Sequence, residues 1–354
     1  ERAGQISNFQ KEKYFNVELD CDGIPAIKPK IFDPDEAEQL RSRCQGSEAI
    51  VTAVKETEKK VKAPKLYDLT TLQREANRIY GMTAKQTLDT SQSLYEKKLI
   101  TYPRTDSQYL TEDMEQTARN VVRQIYEKYQ LTGPFDQPEQ PDVKKVMNNS
   151  KVTDHHAIIP TLELASCHLD ELKSWEEKIL FLIAVHTVMA MSKEHVYQET
   201  EIEVECQGEI FKAKGKTVLQ DGWKIFENCF KNKDRMAIVD PDQEMKERMP
   251  KVTQGQTFYA VAAEKTEHFT SPPKPYSEDT LLAAMETAGN KEFDEDTEKK
   301  GLGTPATRAG IIEKLIYSQY ATRKGKQIIP TDDGKVLVAV SYTHLRAHET
   351  RHDL

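Results

Sequence analysis

Several things are scarce in this sequence of 354 residues. Cysteine occurs five times, as the singles Cys21, Cys44, Cys167, Cys206 and Cys229, with no C-x-x-C pair. An odd number of scattered thiols argues against a disulfide framework or a zinc ribbon, and it suits a reducing cytoplasm. Long apolar runs are missing too. The longest, Ile179 to Met191, contains His186 and is too short for a membrane span, so it reads as a buried helix. No apolar segment follows basic residues near the N-terminus, and no secretory leader is visible. Positive charge is also in deficit, with a formal net charge of -8. That balance argues mildly against nucleic-acid binding, because phosphate contacts draw on lysine and arginine. A net charge is a sum, however, and acidic stretches such as Glu292 to Glu298 can mask a basic groove. An initiating methionine is lacking, so Glu1 is expected to lie inside a longer protein.

What is present divides into alternating and helical stretches. The length allows two or three domains, each with its own core. Tyr14 to Lys30 alternates as strands around a turn at Asp20 to Gly23. Pro34-Asp35-Glu36 opens a short helix ending near Gly46, and Ala49 to Val54 alternates again. Lys59 to Lys65 reads as a basic connector with a boundary at Pro64. Thr71 to Tyr80 is helical and stops at Gly81, and Thr83 to Gln86 has capping-box spacing for a helix to about Lys98. Thr111, with Glu112 and Asp113, caps a further helix through Val121, Val122 and Ile125. Leu131 to Asn149 reads as an exposed loop, and Trp175 to Met191 as a helix. Strand patterns then return at Thr200 to Val204, Glu209 to Ala213, Thr217 to Leu219 and Thr257 to Ala262, with a turn and aromatic anchor at Asp221-Gly222-Trp223. Strands, a helical insert and strands again imply a β-rich domain interrupted by an α-domain.

Three strings carry chemistry. In Leu99-Ile100-Thr101-Tyr102-Pro103-Arg104-Thr105-Asp106-Ser107, the proline disfavours helix and holds Tyr102 extended. Residues i and i+2 of an extended segment share a face, so Tyr102 and Arg104 project together. A phenolic oxygen thereby stands beside a permanently charged fork that suits a phosphate. The second string, Asp154-His155-His156-Ala157-Ile158-Ile159-Pro160-Thr161, invites a metal reading, but sequence neighbours rarely face one ion, and a phosphate-facing histidine is the better functional reading. In the third, Gly301-Leu302-Gly303-Thr304-Pro305-Ala306-Thr307-Arg308, Thr304 fits an N-cap and Pro305 the first helical position. Its glycines let backbone approach a ligand, and the free N–H groups of a helix start favour an anion.

Taken together, the tyrosine, histidine and glycine strings resemble those of type IA DNA topoisomerases, in the form of the topoisomerase III branch, over roughly Gln5 to Val340. The resemblance implies an α+β multidomain fold, the toroidal type IA core. A β-rich arch would comprise residues 1–64 and 197–275, with a helical tyrosine-bearing domain at 65–196 inserted into it and a helical strand-groove segment at 276–340. It implies that Tyr102 attacks a phosphodiester, that Arg104 neutralises the phosphate and that His155, rather than His156, assists. Thr304, Thr307 and Arg308 would hold a single DNA strand. The products implied are a 5′-phosphotyrosine and a free 3′-hydroxyl, with strand passage and resealing that need no ATP. A free phenol with pKa near ~10 is a poor nucleophile at neutral pH and needs cations and a base or metal beside it.

The family's N-terminal Toprim domain carries the acidic residues for Mg²⁺, and these are expected outside this chain, with no metal ligands within it. Asp20-Cys21-Asp22 has the letters of the acidic pair but reads as an ordinary turn. The chain thus reads as a bacterial, cytoplasmic, nucleoid-associated and monomeric enzyme's fragment, inactive alone. Its implied partners are single-stranded, negatively supercoiled or catenated DNA, with no membrane. Alternatives are a strand-binding fragment without catalysis and a tyrosine recombinase, whose Arg…His-x-x-Arg…Tyr order is not found. The H-E-x-x-H string at His348 to His352 ends the chain with no ligand after it. Residues 341–354 resemble translated sequencing-adapter read-through and are set aside as a non-native tail.

Overall fold

The computed structural model describes residues 2–131, 141–227, 250–288 and 301–341. The H-E-x-x-H string, Cys229 and the acidic stretch from Glu292 lie outside them.

After a short helix α1 (Arg2–Ser7), β1 (Lys13–Cys21) and β2 (Ile24–Ile31) form a hairpin. Its turn places Asp22 and Gly23 at positive φ, and the Asp20 carboxylate accepts the Gly23 N–H at 2.6 Å. Asp33 caps α2 (Pro34–Cys44), accepting from the N–H groups of Asp35 and Glu36. Five further strands complete the sheet: β3 (Ala49–Val61), β4 (His195–Cys206), β5 (Glu209–Gln220), β6 (Thr257–Phe258) and β7 (Ala262–Phe269). The order is β6-β3-β4-β5-β2-β1-β7, antiparallel throughout.

β6 and β7 occupy opposite edges although only residues 259–261 separate them, so the sheet must curl until its rims approach. Val261 spans the gap, accepting from the Gly46 N–H at 2.8 Å and donating to the Ser47 carbonyl at 3.0 Å. The inner face buries Val17, Leu19, Val51, Val204 and Phe211, one residue in two over the part of each strand that faces the core.

Three strand expectations need correction. The connector expected at Lys59 to Lys65 begins later, because β3 stays paired with β4 as far as Val61 opposite His195. The two pieces expected within Glu209 to Leu219 are one strand, long because β4 offers a complete partner. Thr257 to Ala262 is not one strand: Ala260 adopts φ 52° and throws the chain from one rim to the other.

Between β3 and β4 the chain leaves the sheet and builds helices. α3 (Leu69–Tyr80) is capped by Asp68 and Thr71 and closed by Gly81 in the left-handed region at φ 72°. α4 (Ala84–Glu96) carries the expected Thr83/Gln86 capping box. α5 (Glu115–Tyr129) follows a 3-10 turn at Glu112–Met114. α6 (Ser174–Ala190) is buried almost all round, which explains its lack of a polar face. The loop expected at Leu131 to Asn149 is partly core: Val143 and Val146 pin a 3-10 turn into the helices.

Beyond the sheet, Ser277 caps α7 (Glu278–Glu286) and Thr304 precedes α8 (Pro305–Tyr317). A hairpin of β8 (Ala321–Lys324) and β9 (Gln327–Pro330) and helical residues 332–341 end the described chain. The Glu278 carboxylate, almost wholly buried, joins this last part to the helices by accepting the Ala84 N–H at 2.6 Å and Arg323 Nε at 2.8 Å.

Candidate active site

The tyrosine string has no regular partner strand and bends at Pro103 and Arg104, yet it is anchored on either side of that bend. The Thr101 N–H donates to the Ile159 carbonyl at 3.0 Å, and the Leu69 N–H donates to the Thr105 carbonyl at 3.1 Å. Burial alternates along the string. Pro103, Thr105 and Ser107 are buried, Tyr102 is half-buried, and Arg104 and Asp106 are exposed. The alternation keeps Tyr102, Arg104 and Asp106 on the outer side.

The inward hydroxyls fasten the histidine string alongside. Thr101 Oγ1 donates to the Ala157 carbonyl at 2.9 Å, Thr105 Oγ1 to the His155 carbonyl at 2.9 Å, and Ser107 Oγ to the Lys151 carbonyl at 2.8 Å. With the backbone so fixed, the Tyr102 and His155 rings lie 4.3 Å apart between centroids. Tyr95 from α4 meets the other side of Tyr102 edge-on at 5.3 Å. His156 turns away, its Nδ1 2.9 Å from the Ala157 carbonyl.

A cleft of about 230 Å³ separates Arg104, Asp106, Asp154 and His155 from Thr304, Pro305 and Ala306 at the start of α8. The glycine string shapes its far wall. At Gly301, φ is 65° and a Cβ would stand 2.3 Å from the Glu286 carbonyl, so no side chain fits. The Thr304 N–H donates to Thr307 Oγ1 at 2.8 Å, and both threonines are exposed beside the helix start.

Arg308, expected to touch a DNA strand, is turned inward and is only 3% exposed. Its Nε donates to the Leu302 carbonyl at 3.2 Å, its Nη1 donates to Thr70 Oγ1 at 2.9 Å, and Glu286 lies 4.0 Å away. The burial follows from these partners: they satisfy the guanidinium and leave it bracing the glycine loop against α3.

Behind the string, burial raises the Asp68 carboxyl to about 6, although bonds from Thr71 pull the other way. Asp106 and Asp154 are the acids of the cleft, and among the described residues no three His, Cys, Asp or Glu side chains gather closely enough to hold a metal ion.

Sequence reasoning singled out the outward residues and missed Thr101, Thr105, Ser107, Thr70 and Tyr95. The alternation of hydroxyls with Tyr102, Arg104 and Asp106 was the available signal for the first three. Nothing local pointed to Thr70 or Tyr95.

The site can be set beside known proteins. The family model described as DNA topoisomerase matches residues 1–354. DNA topoisomerase 3 of Bacillus licheniformis is 36% identical over 371 residues, covering 98% of this chain and 49% of that protein. DNA topoisomerase 3 of Bacillus subtilis is 36% identical over 356 residues, covering 95% and 48%. The fold is similar to full-length topoisomerase I from Thermotoga maritima, with a TM-score of 0.69 at 24% identity, covering 96% of this chain and 52% of that one. The chain spans about half the length of the curated relatives it matches. With a family model matched end to end and relatives at this identity, the chain belongs to the type IA DNA topoisomerase family and is topoisomerase III-like.

Proposed function

We propose that this chain is the tyrosine-bearing part of an enzyme that cleaves one DNA strand, passes another through the break and reseals the first. The Tyr102 oxygen attacks a backbone phosphorus. A P–O bond to tyrosine forms as the P–O3′ bond breaks, the phenol loses its proton and the 3′ oxygen gains one. The 5′ end stays on the protein until the 3′-hydroxyl attacks and restores the original bond. One phosphodiester replaces another, so the cycle needs no ATP.

Arg104 meets the phosphoryl oxygens with a fixed positive charge, and His155, its ring tilted against that of Tyr102, hydrogen-bonds to the same phosphate. Thr304, Thr307 and the N–H groups at the start of α8 receive a neighbouring stretch of strand, and Arg308 braces their loop. The observation that carries this reading is that Arg104, His155 and the α8 start line one cleft, with the Tyr102 ring packed against His155.

Residues 1–64 and 197–275 serve as the arch of a toroid, 65–196 as the tyrosine domain and 276–340 as part of the strand groove. The substrate is single-stranded DNA within supercoiled or catenated molecules, and the protein acts as a monomer at the nucleoid. Among the described residues no helix is long and apolar enough to cross a membrane. Among the described residues the carboxylates do not fit Mg²⁺, since Asp106 and Asp154 stand without a third donor. That same lack favours the second reading, a chain that holds a strand without cutting it.

Trapping with denaturant on end-labelled single-stranded DNA tests both. A 5′-linked adduct that disappears in Tyr102→Phe supports cleavage. Salt-sensitive binding without an adduct supports the strand-holding reading for this chain alone, and a 3′-linked adduct sinks the topoisomerase mechanism.

A further inference from the structure

The backbone beside Tyr102 is anchored through Thr101, but no polar contact ties down the tyrosine ring. Among the described residues the Tyr102 hydroxyl has no hydrogen-bond partner. A side chain of this kind has staggered wells at χ1, and a half-buried one can enter more than one of them. Contact with other rings is left to choose between the wells. His155 lies on one side, with centroids 4.3 Å apart and planes tilted by 45°. Tyr95 meets the other side at 5.3 Å and 77°. That second geometry is the edge-to-face arrangement favoured by aromatic quadrupoles, so Tyr95 attracts the ring as well as blocking it.

Tyr95 is itself fixed by the way α4 ends. Lys98 adopts φ 61°, its N–H donates to the Tyr95 carbonyl at 2.8 Å, and the Leu99 N–H donates to the Leu94 carbonyl at 2.9 Å. This pair of bonds is a Schellman ending, and Leu94 and Leu99 are both buried beneath it. The chain turns back there and brings Tyr102 onto the Tyr95 ring. A further fastening comes from α6. The buried Glu176 carboxylate accepts from Ser93 Oγ at 2.7 Å and from Lys97 Nζ at 2.6 Å, on either side of Tyr95 in sequence.

The Tyr95 hydroxyl also lacks a hydrogen-bond partner among the described residues, and the residue is 39% exposed, outside both large cores. Neither a polar bond nor core packing accounts for an aromatic side chain at this position, whereas the contact with Tyr102 does.

We propose that Tyr95 is a positioning residue: it selects the rotamer in which the Tyr102 ring lies against His155, beside the cleft that His155 and Arg104 line. Its bearing on chemistry rests on the reading of Tyr102 as the nucleophile. Tyr95 acts through Tyr102 and needs no contact with the phosphate or the strand, so it governs rate and not affinity.

The test compares the 354-residue chain, ¹³C-labelled in its tyrosine and histidine rings, with Tyr95→Leu and Tyr95→Phe. Leucine keeps helix propensity and apolar bulk while removing the ring. Tyr102→Phe identifies the Tyr102 signals. In Tyr95→Leu the nuclear Overhauser cross-peaks between the Tyr102 and His155 rings should fall about fivefold as other rotamers fill. The Thr101 and Thr105 amide signals should stay in place, and Tyr95→Phe should keep the cross-peaks. In denaturant trapping on single-stranded DNA, Tyr95→Leu should form the adduct about tenfold more slowly at unchanged strand affinity, with the rate restored in Tyr95→Phe. An unaltered chain that forms no adduct bears on the nucleophile reading alone, and the ring contact then decides the role of Tyr95. An undiminished Tyr102–His155 contact in Tyr95→Leu, its loss in Tyr95→Phe, or faster adduct formation in Tyr95→Leu overturns the assignment.

Discussion

Across β3, β4 and β5, lysines and glutamates face one another at the surface, as in Lys59–Glu199 at 3.9 Å and Lys212–Glu203 at 2.9 Å, while the apolar residues go inward. Among the helices the charged groups are themselves inside. The Glu278, Glu176 and Arg308 side chains are 3%, 3% and 4% exposed, each met by named donors or acceptors. The sheet thus takes its register from an apolar stripe and tolerates any charge outside it. The helical side takes its geometry from polar groups that have one arrangement each, and there the candidate chemistry is built. Exposed pairs contribute little because water competes for both partners, whereas a buried charge left alone is severely destabilising.

Removing one member of a buried pair tests this contrast hardest. Arg323→Ala leaves the Glu278 carboxylate buried with only the Ala84 N–H, and a loss of about 3–5 kcal/mol is expected in urea unfolding. A loss below about 1 kcal/mol would erase the distinction between the two regions.

Asp68 gives the next largest effect and a sign. Burial lifts its carboxyl from the ordinary 3.8 to about 6 in the folded chain, so the folded state binds the proton more tightly. Its stabilising contribution is full below pH 4 and is lost as pH rises through 6. Two pKa units correspond to about 3 kcal/mol. Asp68→Asn should remove that part of the pH dependence between pH 4 and 6, read from stability at each pH beside the unaltered chain.

Thr105→Val removes the hydroxyl bonded to the His155 carbonyl and should cost about 1–3 kcal/mol. It should also shift the ring-current-sensitive proton signals of His155, whereas Thr105→Ser should restore them. In the sheet, Lys212→Ala should cost less than about 1 kcal/mol in the same unfolding experiment.

The contrast also governs what could be read without coordinates. Thr83 and Thr304 announce helix starts, and both stand where the sequence places them, whereas the Asp68 cap three residues ahead of the expected start at Thr71 was not foreseen. The first hairpin and the buried helix α6 were legible too, since turn chemistry and apolar runs are local. The full length of β3 and β5 was not, because a strand extends as far as its neighbour offers hydrogen bonds. Arg308 was misjudged because its partner Thr70 lies 238 residues away, and a guanidinium beside a glycine loop looks the same in sequence whether it faces a ligand or a hydroxyl. The outward face of the tyrosine string was legible from Pro103 and the two-residue period, its inward fastenings only from the fold.

The three-residue step from β6 to β7 bears on how the curl yields under load. Val261 ties that step to the turn before β3 with two backbone hydrogen bonds, to Gly46 and Ser47. Most ladders are long, but β6 meets β3 at two residue pairs only, and between β2 and β5 the register rests on Ile27 opposite Lys212 alone. A stretch applied around the belt therefore concentrates at these two short seams, and the sheet is a strap with compliant stitches beside long, stiff ladders.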